Sequence, residues 1–235
     1  RVAAGAPQLR SHLGWVGAVI RRMRPAASID LDTDRDLRLA FLRQVWAFVA
    51  ELPPAINTLK AHVLWHLLDT LRRRSPEPVD QALFRTYLAL PRNAGYLAHK
   101  WIDKVKSEDV AYLGQDLREV TGLAPAGGDE ELVRDLLHRR IADAEAYALW
   151  IDRSWLDTEV ATATLLSGAP GADKATLFLG PSRAAALRDR IELAWCVHDP
   201  VRIGAVDPIS LDVDLKNIGE LVVKAPRDGA ISVGT

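Results

Sequence analysis

An α+β fold is what this sequence predicts: a mainly antiparallel helical bundle or stack of α-hairpins over residues 1–168, followed by a small antiparallel β-sheet over 169–235. Three observations lead there. Apolar residues recur at spacings of three and four through the first two-thirds of the chain. Proline and glycine interrupt that pattern often enough to leave short connections, which favour neighbouring helices packed against each other. From Ala175 onward the spacing changes to two.

Residues 8–23 read as an opening helix that Pro25 ends. "SIDLDTDRDL" is a polar linker that offers Thr33 or Asp34 as the cap of the next helix. In that helix Leu37, Phe41, Val45, Phe48 and Leu52 form one stripe. Pro53 and Pro54 stop it and suit the first turn of its successor, where a missing N–H is of little consequence. The third helix spans about Ala55 to Arg73, and a fourth covers 79–90 before Pro91. A short helix is expected around Tyr96–Val105, then one capped by Ser107 and closed by Gly122. Asp129 is the expected N-cap of a helical run reaching about Leu166, with Glu130 and Glu131 favourably placed at its positive end. A break in that run is expected near Asp152–Asp157.

"SGAPGADK" reads as a linker. Beyond it, Ile191, Leu193, Trp195 and Val197 alternate with polar or small residues, and "ISLDVDLK" alternates more strictly. "NIGE" is then a turn returning through Leu221–Lys224, and Asp228-Gly229 a second turn. The stretch "DPISLDVDLKNIGELVVKA", residues 207–225, resembles a strand pair of macroglobulin-type β-sandwich domains, and departs from it at Ala225-Pro226-Arg227. That resemblance implies an interaction module carried within a larger polypeptide. The helical part resembles no characterised family. A sandwich needs about seven strands over ~100 residues, so an incomplete sheet here would have edges to cover or pair.

Composition narrows the function classes. A hydrophobic content of 49% and a charged content of 26% belong to an ordinary globular chain. The longest apolar run near the start, Leu13 to Ile20, is far short of the ~18–20 residues of a membrane span, so no membrane association is expected. A chain opening on Arg1 is expected to be part of something longer. Cys196 stands alone, which excludes an internal disulfide and any multi-cysteine metal site, and a cytoplasmic setting suits a single thiol. Residues 1–75 hold twelve Lys/Arg against six Asp/Glu, whereas 76–165 hold ten against sixteen. Internal pairing between these halves is the expected use of that asymmetry.

Candidate chemistry centres on "AHVLWHLLD". At 100° per residue, His62, His66, Asp69 and Arg73 fall within about 60° of one another on the third helix. Histidines at i and i+4 with a carboxylate at i+7 are positioned to share a divalent metal ion. Val63, however, stands where a zinc protease has its glutamate base. The alternative is a solvated strip in which Asp69 pairs with Arg73. Asp135 and His138 are possible outer members of a metal site, although di-metal bundles need two such pairs. Asp30 to Asp36 mimics a calcium loop but has Arg35 for the required glycine and Phe41 for the required glutamate. Cys196 and His198 share a strand face at ~6.6 Å spacing, too far for thiol activation. The basic runs "RRMR" and "RRR" lack the aromatic interleaving of a nucleic-acid surface, so nucleic acid is not an expected partner.

The function expected from these residues is a non-catalytic protein–protein interaction or scaffolding module, with a protein partner and no cofactor. A metal-binding helical enzyme built on His62, His66 and Asp69 is the alternative.

Overall fold

The computed structural model describes residues 7–26, 29, 31, 33–75, 77–189 and, as backbone, 192–196, 212–216, 222–224 and 232–234. Two compact units divide at residue 160.

In the first unit a 3-10 turn, Pro7–Ser11, leads into α1 (Leu13–Met23). Helix α2 (Arg35–Val49) begins where the Asp34 carboxylate accepts a hydrogen bond from the Leu37 amide at 2.9 Å, which satisfies one of the orphan donors of the first turn. The double proline forms the 3-10 turn Pro54–Ile56 that feeds α3 (Asn57–Arg74). Asp80 caps α4 (Gln81–Ala89) in the same way as Asp34, accepting from Leu83 N at 3.0 Å. Single helical turns follow, α5 (His99–Ile102) and α6 (Arg118–Thr121). Gly122, at φ 80°, ends α6 in the left-handed conformation that glycine adopts without strain. Helix α7 (Asp129–His138), a 3-10 run Ile141–Tyr147 and the start of α8 (Arg153–Ser167) complete the unit.

Helix α3 is the axis of this unit, packed by α2, α4 and α7. Every residue from Ala61 to Thr70 is buried. A helix covered on all sides has no solvent strip, so the reading of His62 and His66 as a wet face is corrected here. Phe41, Val45 and Leu52 of the predicted α2 stripe are buried against it, while Leu37 stays exposed.

Two predicted helices take other forms. The helix expected after Ser107 is a 3-10 turn, Ser107–Asp109, followed by irregular chain up to α6. Its backbone donors are used elsewhere: Ala111 N donates to Pro91 O at 2.7 Å and Tyr112 N to Thr58 Oγ1 at 3.1 Å. Arg92 and Ala111 pair as an isolated parallel bridge. The long helix expected from Asp129 is interrupted across 139–152, before the break expected near Asp152–Asp157, where residues 153–157 are instead the first turns of α8.

The second unit contains the end of α8, α9 (Ala172–Leu179) and α10 (Pro181–Arg188) around a small core of Ala161, Leu165, Ala175 and Ala184. Here the predicted α+β class is corrected. The segment read as strand from Ala175 is helical, with Gly180 (φ 83°) as hinge and Pro181 at the first helical position. Alanine-rich runs favour helix, and short apolar alternation does not distinguish the two states. Apart from isolated bridges, the strands among the described residues are confined to two separate two-stranded ribbons. In one, β1 (Glu192–Cys196) pairs with β2 (Asp212–Lys216); in the other, β3 (Val222–Lys224) pairs with β4 (Ser232–Gly234). The expected return of 209–216 onto Leu221–Lys224 is therefore replaced by pairing with β1, and the "NIGE" turn lies outside the described residues. Among the described residues the fold is predominantly helical, with no β-sheet domain.

Candidate functional site

On α3 the two imidazoles meet edge to face, with ring centroids 4.7 Å apart. Each has a defined role. His66 Nδ1 lies 3.0 Å from Arg38 Nη2, a donor, and Nε2 lies 2.8 Å from the Ala124 carbonyl, an acceptor. The ring is thus neutral with its proton on Nε2. Thr121 Oγ1 already donates to Leu117 O at 2.9 Å, so at 3.3 Å it accepts from His62 Nε2. His62 Nδ1 is left as a buried lone pair with no hydrogen-bond partner among the described residues. Burial, reinforced by the neighbouring His66 and only partly opposed by Asp116, pushes the His62 imidazolium down to about 3.

Asp69 turns away from the imidazoles. Its two oxygens take Arg72 Nε and Arg73 Nε, each at 2.9 Å; the expected pairing with Arg73 is present and Arg72 joins it. The structure brings His62 and His66 together and directs Asp69 to arginines. An open cleft of about 220 Å³ lies over this end of α3, lined by Arg35, Arg38, Asp69, Thr70 and Arg73. Among the described residues no group of three or more His, Cys, Asp or Glu side chains is gathered to hold a metal ion.

Asp135 accepts from Arg72 at 3.0 Å and Arg139 at 3.2 Å. His138 Nε2 instead meets the carboxylate of Glu159 at 2.9 Å. Glu159, which the sequence reading passed over, is buried and also holds Arg134 at 3.1 Å. Against the tendency of burial to raise it, these partners keep the Glu159 carboxyl below its ordinary range.

A second polar cluster was not foreseen. Arg92 is 1% exposed. Its Nε donates to Asp129 Oδ2 at 2.9 Å, its Nη1 to the carbonyls of Tyr87 (2.6 Å) and Leu90 (2.8 Å), and its Nη2 to Tyr96 Oη. Tyr96 Oη donates in turn to Asp129 Oδ2 at 2.8 Å, and Tyr87 Oη to Oδ1. The guanidinium also lies 4.1 Å from the centre of the Tyr87 ring. Burial holds both phenols above their ordinary range. Burial also works against the Arg92 charge, but the phenols and Asp129 more than offset it and hold the guanidinium above its ordinary range. The N-cap of α7 is thus Gly128 rather than Asp129, whose carboxylate is spent on Arg92 instead. The available signal was one arginine in the apolar run "YLALPRNAGYLA", where a charge needs a partner.

This cluster floors the larger cleft, about 370 Å³, whose walls include Gly95, Tyr96, Tyr112, Gly114, Asp129 and Glu130. Tyr112 stands at its edge, 67% exposed.

The remaining candidates carry less. Asp34 of the calcium-like loop is a helix cap, and Asp30 and Asp32 lie outside the described residues. His198 and the Cys196 side chain also lie outside them. In the basic runs, Arg72, Arg73 and Arg74 are all ion-paired, with Arg74 on Asp36. Arg24 donates to the backbone carbonyls of Arg118 and Glu119. The pairing of Arg72 with Asp135 and Glu131 is the expected meeting of the basic and acidic halves.

Comparison with known proteins identifies a family. The family model described as the actin-binding protein F N-terminal domain matches residues 1–191. Actin-binding protein F of Dictyostelium discoideum is 21% identical over 215 residues, covering 89% of this chain but 9% of the relative's own length. No solved structure matches. These findings overturn the resemblance of 207–225 to macroglobulin-type strands, and with it the view that the helical part is without family. Among the described residues β2 pairs with β1 and not with the return strand on which that resemblance depended. The chain belongs to the actin-binding protein F N-terminal domain family.

Proposed function

We propose that this chain is a non-catalytic module that attaches a larger polypeptide to actin filaments. The family match across residues 1–191 carries this reading, together with the name of the much longer relative. The interior is consistent with it. His62, His66 and Asp69 are read as structural residues: His62 Nε2 is directed to Thr121, His66 Nε2 to Ala124 and the Asp69 carboxylate to Arg72 and Arg73. The role assigns no cofactor and sets the module in the cytoplasm beside the cytoskeleton. Among the described residues no helix is long and apolar enough to cross a membrane.

The test is sedimentation of the purified chain with filamentous actin. Saturable pelleting that follows filament concentration is the expected result. A chain that stays in the supernatant at every filament concentration contradicts the proposal.

A further inference from the structure

The two basic runs of the chain are treated differently by the fold. In "RRR", Arg72, Arg73 and Arg74 are each held by a carboxylate. In "RRMR" none is. Among the described residues Arg21 and Arg22 have neither an ion pair nor a side-chain hydrogen bond, and Arg24 donates to the backbone carbonyls of Arg118 and Glu119. The sequence explains the lack of a local partner, because residues 1–29 hold five arginines and no Asp or Glu.

At ~100° per residue, Gly14, Ala18, Arg21 and Arg22 share one strip of α1 about 100° wide, and all four are exposed. A Cβ on Gly17 would stand 3.4 Å from Arg21 Nη1 and 3.5 Å from Val120 Cγ1, so Arg21 lies where α1 meets α6. Arg118, exposed on α6, enters the same corner. Its carboxylates are Asp116 and Glu119, and neither is ion-paired with any of these arginines among the described residues. Four guanidiniums thus face two carboxylates. Burial, with Arg21 close by and Glu119 only partly opposing, holds the Arg24 guanidinium below its ordinary range. Like charges gathered without partners weaken a fold, so stability does not account for this corner.

We infer that the outer strip of α1, with Arg118 beside it, docks an acidic surface of a protein partner, whose aspartate or glutamate side chains take the forks of Arg21 and Arg22. A guanidinium matches a carboxylate through two parallel bonds. Gly14 and Ala18 raise no bulk between the arginines and an approaching backbone. The strip has no exposed aromatic on which bases could stack, since Trp15 is turned to Phe48 at 6.1 Å. It also has no long apolar side chain to enter a bilayer. The inference rests on the reading of the chain as a module that binds a protein filament.

Two measurements test it. In the first, the isotopically labelled chain is titrated with acetyl-Glu-Glu-Glu-Glu-amide and with its neutral glutamine counterpart, and amide shifts are followed by NMR. Saturable shifts along α1 and at Arg118 with the glutamate peptide alone, lost in Arg21→Glu/Arg22→Glu, are expected. Equal shifts with glutamine, shifts only elsewhere, no shifts, or shifts unchanged in the double variant overturn the assignment. So does binding of phosphatidylserine vesicles or duplex DNA that depends on Arg21 and Arg22 while the peptide is ignored. In the second, filament sedimentation compares variants that keep the native thermal midpoint. Arg21→Glu/Arg22→Glu should weaken pelleting at least about tenfold, and Arg21→Lys/Arg22→Lys by less. Arg85→Glu/Arg183→Glu, an equal change in net charge through exposed arginines of α4 and α10, should leave it unaltered. If the native chain pellets and the Arg21/Arg22 reversal has no effect, or no more than the Arg85/Arg183 one, the corner is not the docking site, although the actin reading stands. If the native chain does not pellet, the actin reading fails and the peptide titration alone decides the corner.

Discussion

The two buried polar clusters of the first unit are built from similar materials and do different things. Around His62 and His66, neutral rings and a threonine hydroxyl close on themselves beneath α6 and the 121–124 turn, and His62 keeps one lone pair unpaired. Around Arg92, a full charge is buried, answered by Asp129 and two phenols, and floors an open cleft. A neutral cluster costs little to bury and tolerates one missing bond. A charged cluster is held only by completeness, because removing one partner leaves an uncompensated ion. The lesson is that buried polarity marks structure in both places, and function is to be sought where charged groups remain unanswered at the surface.

Breaking the charged cluster should have the largest effect. Arg92→Ala strands the Asp129 carboxylate and should cost about 3–5 kcal/mol in urea unfolding. Arg92→Met combined with Asp129→Leu should recover much of that loss, since an apolar replacement of a buried pair is often neutral. A double variant as unstable as the single one would mean that the hydrogen-bond geometry, rather than the ion, is what matters.

The neutral cluster should respond next to a packing change. Trp65 stands edge-on to His66 at 4.9 Å, and a Cβ on Gly127 would come within 3.0 Å of the Trp65 ring. That ring is buried and has nowhere to swing, so Gly127→Ala should cost about 1–3 kcal/mol. A thermal midpoint equal to that of the native chain would show that the segment yields.

Acid sharpens the contrast further. In the unfolded chain His62 takes up a proton near 6.5, whereas in the fold it does so at about 3. Between those values the unfolded state binds more protons, so stability is complete above pH 6.5 and falls as pH drops towards 3. Once well below 6.5, the slope from this residue approaches about 1.4 kcal/mol per pH unit. In His62→Leu that component should be missing from the pH profile of the unfolding midpoint; identical profiles would remove His62 as its source.

The smallest effect on stability belongs to Tyr112→Ala, within about 0.5 kcal/mol, because an exposed ring has little packing to lose. Differential scanning calorimetry showing a larger loss would make Tyr112 a structural residue.

Local features of the chain were legible from sequence and distant ones were not. Asp34 as a cap, Gly122 as a helix terminator and Asp69 beside Arg73 each depend on residues within four positions. The grouping of His62 and His66 on one helical face was also readable. Their burial was not, because Thr121 and Ala124 arrive from almost sixty residues away. Asp129 was visible as a residue of a helix start, but its bond to Arg92 spans 37 positions and no local pattern announces it. The helices α9 and α10 were misread because apolar alternation over eight residues suits strand and helix alike.

The most direct test of the account is the state of the α3 imidazoles, observed through their ring nitrogens in long-range 15N–1H spectra. Both rings should carry their proton on Nε2 at neutral pH, His62 should show no titration down to pH 5, and stoichiometric zinc should move neither set of signals. A His62 ring that titrates near 6.5, or nitrogen shifts that follow added zinc, would contradict the claim that these histidines belong to the fold.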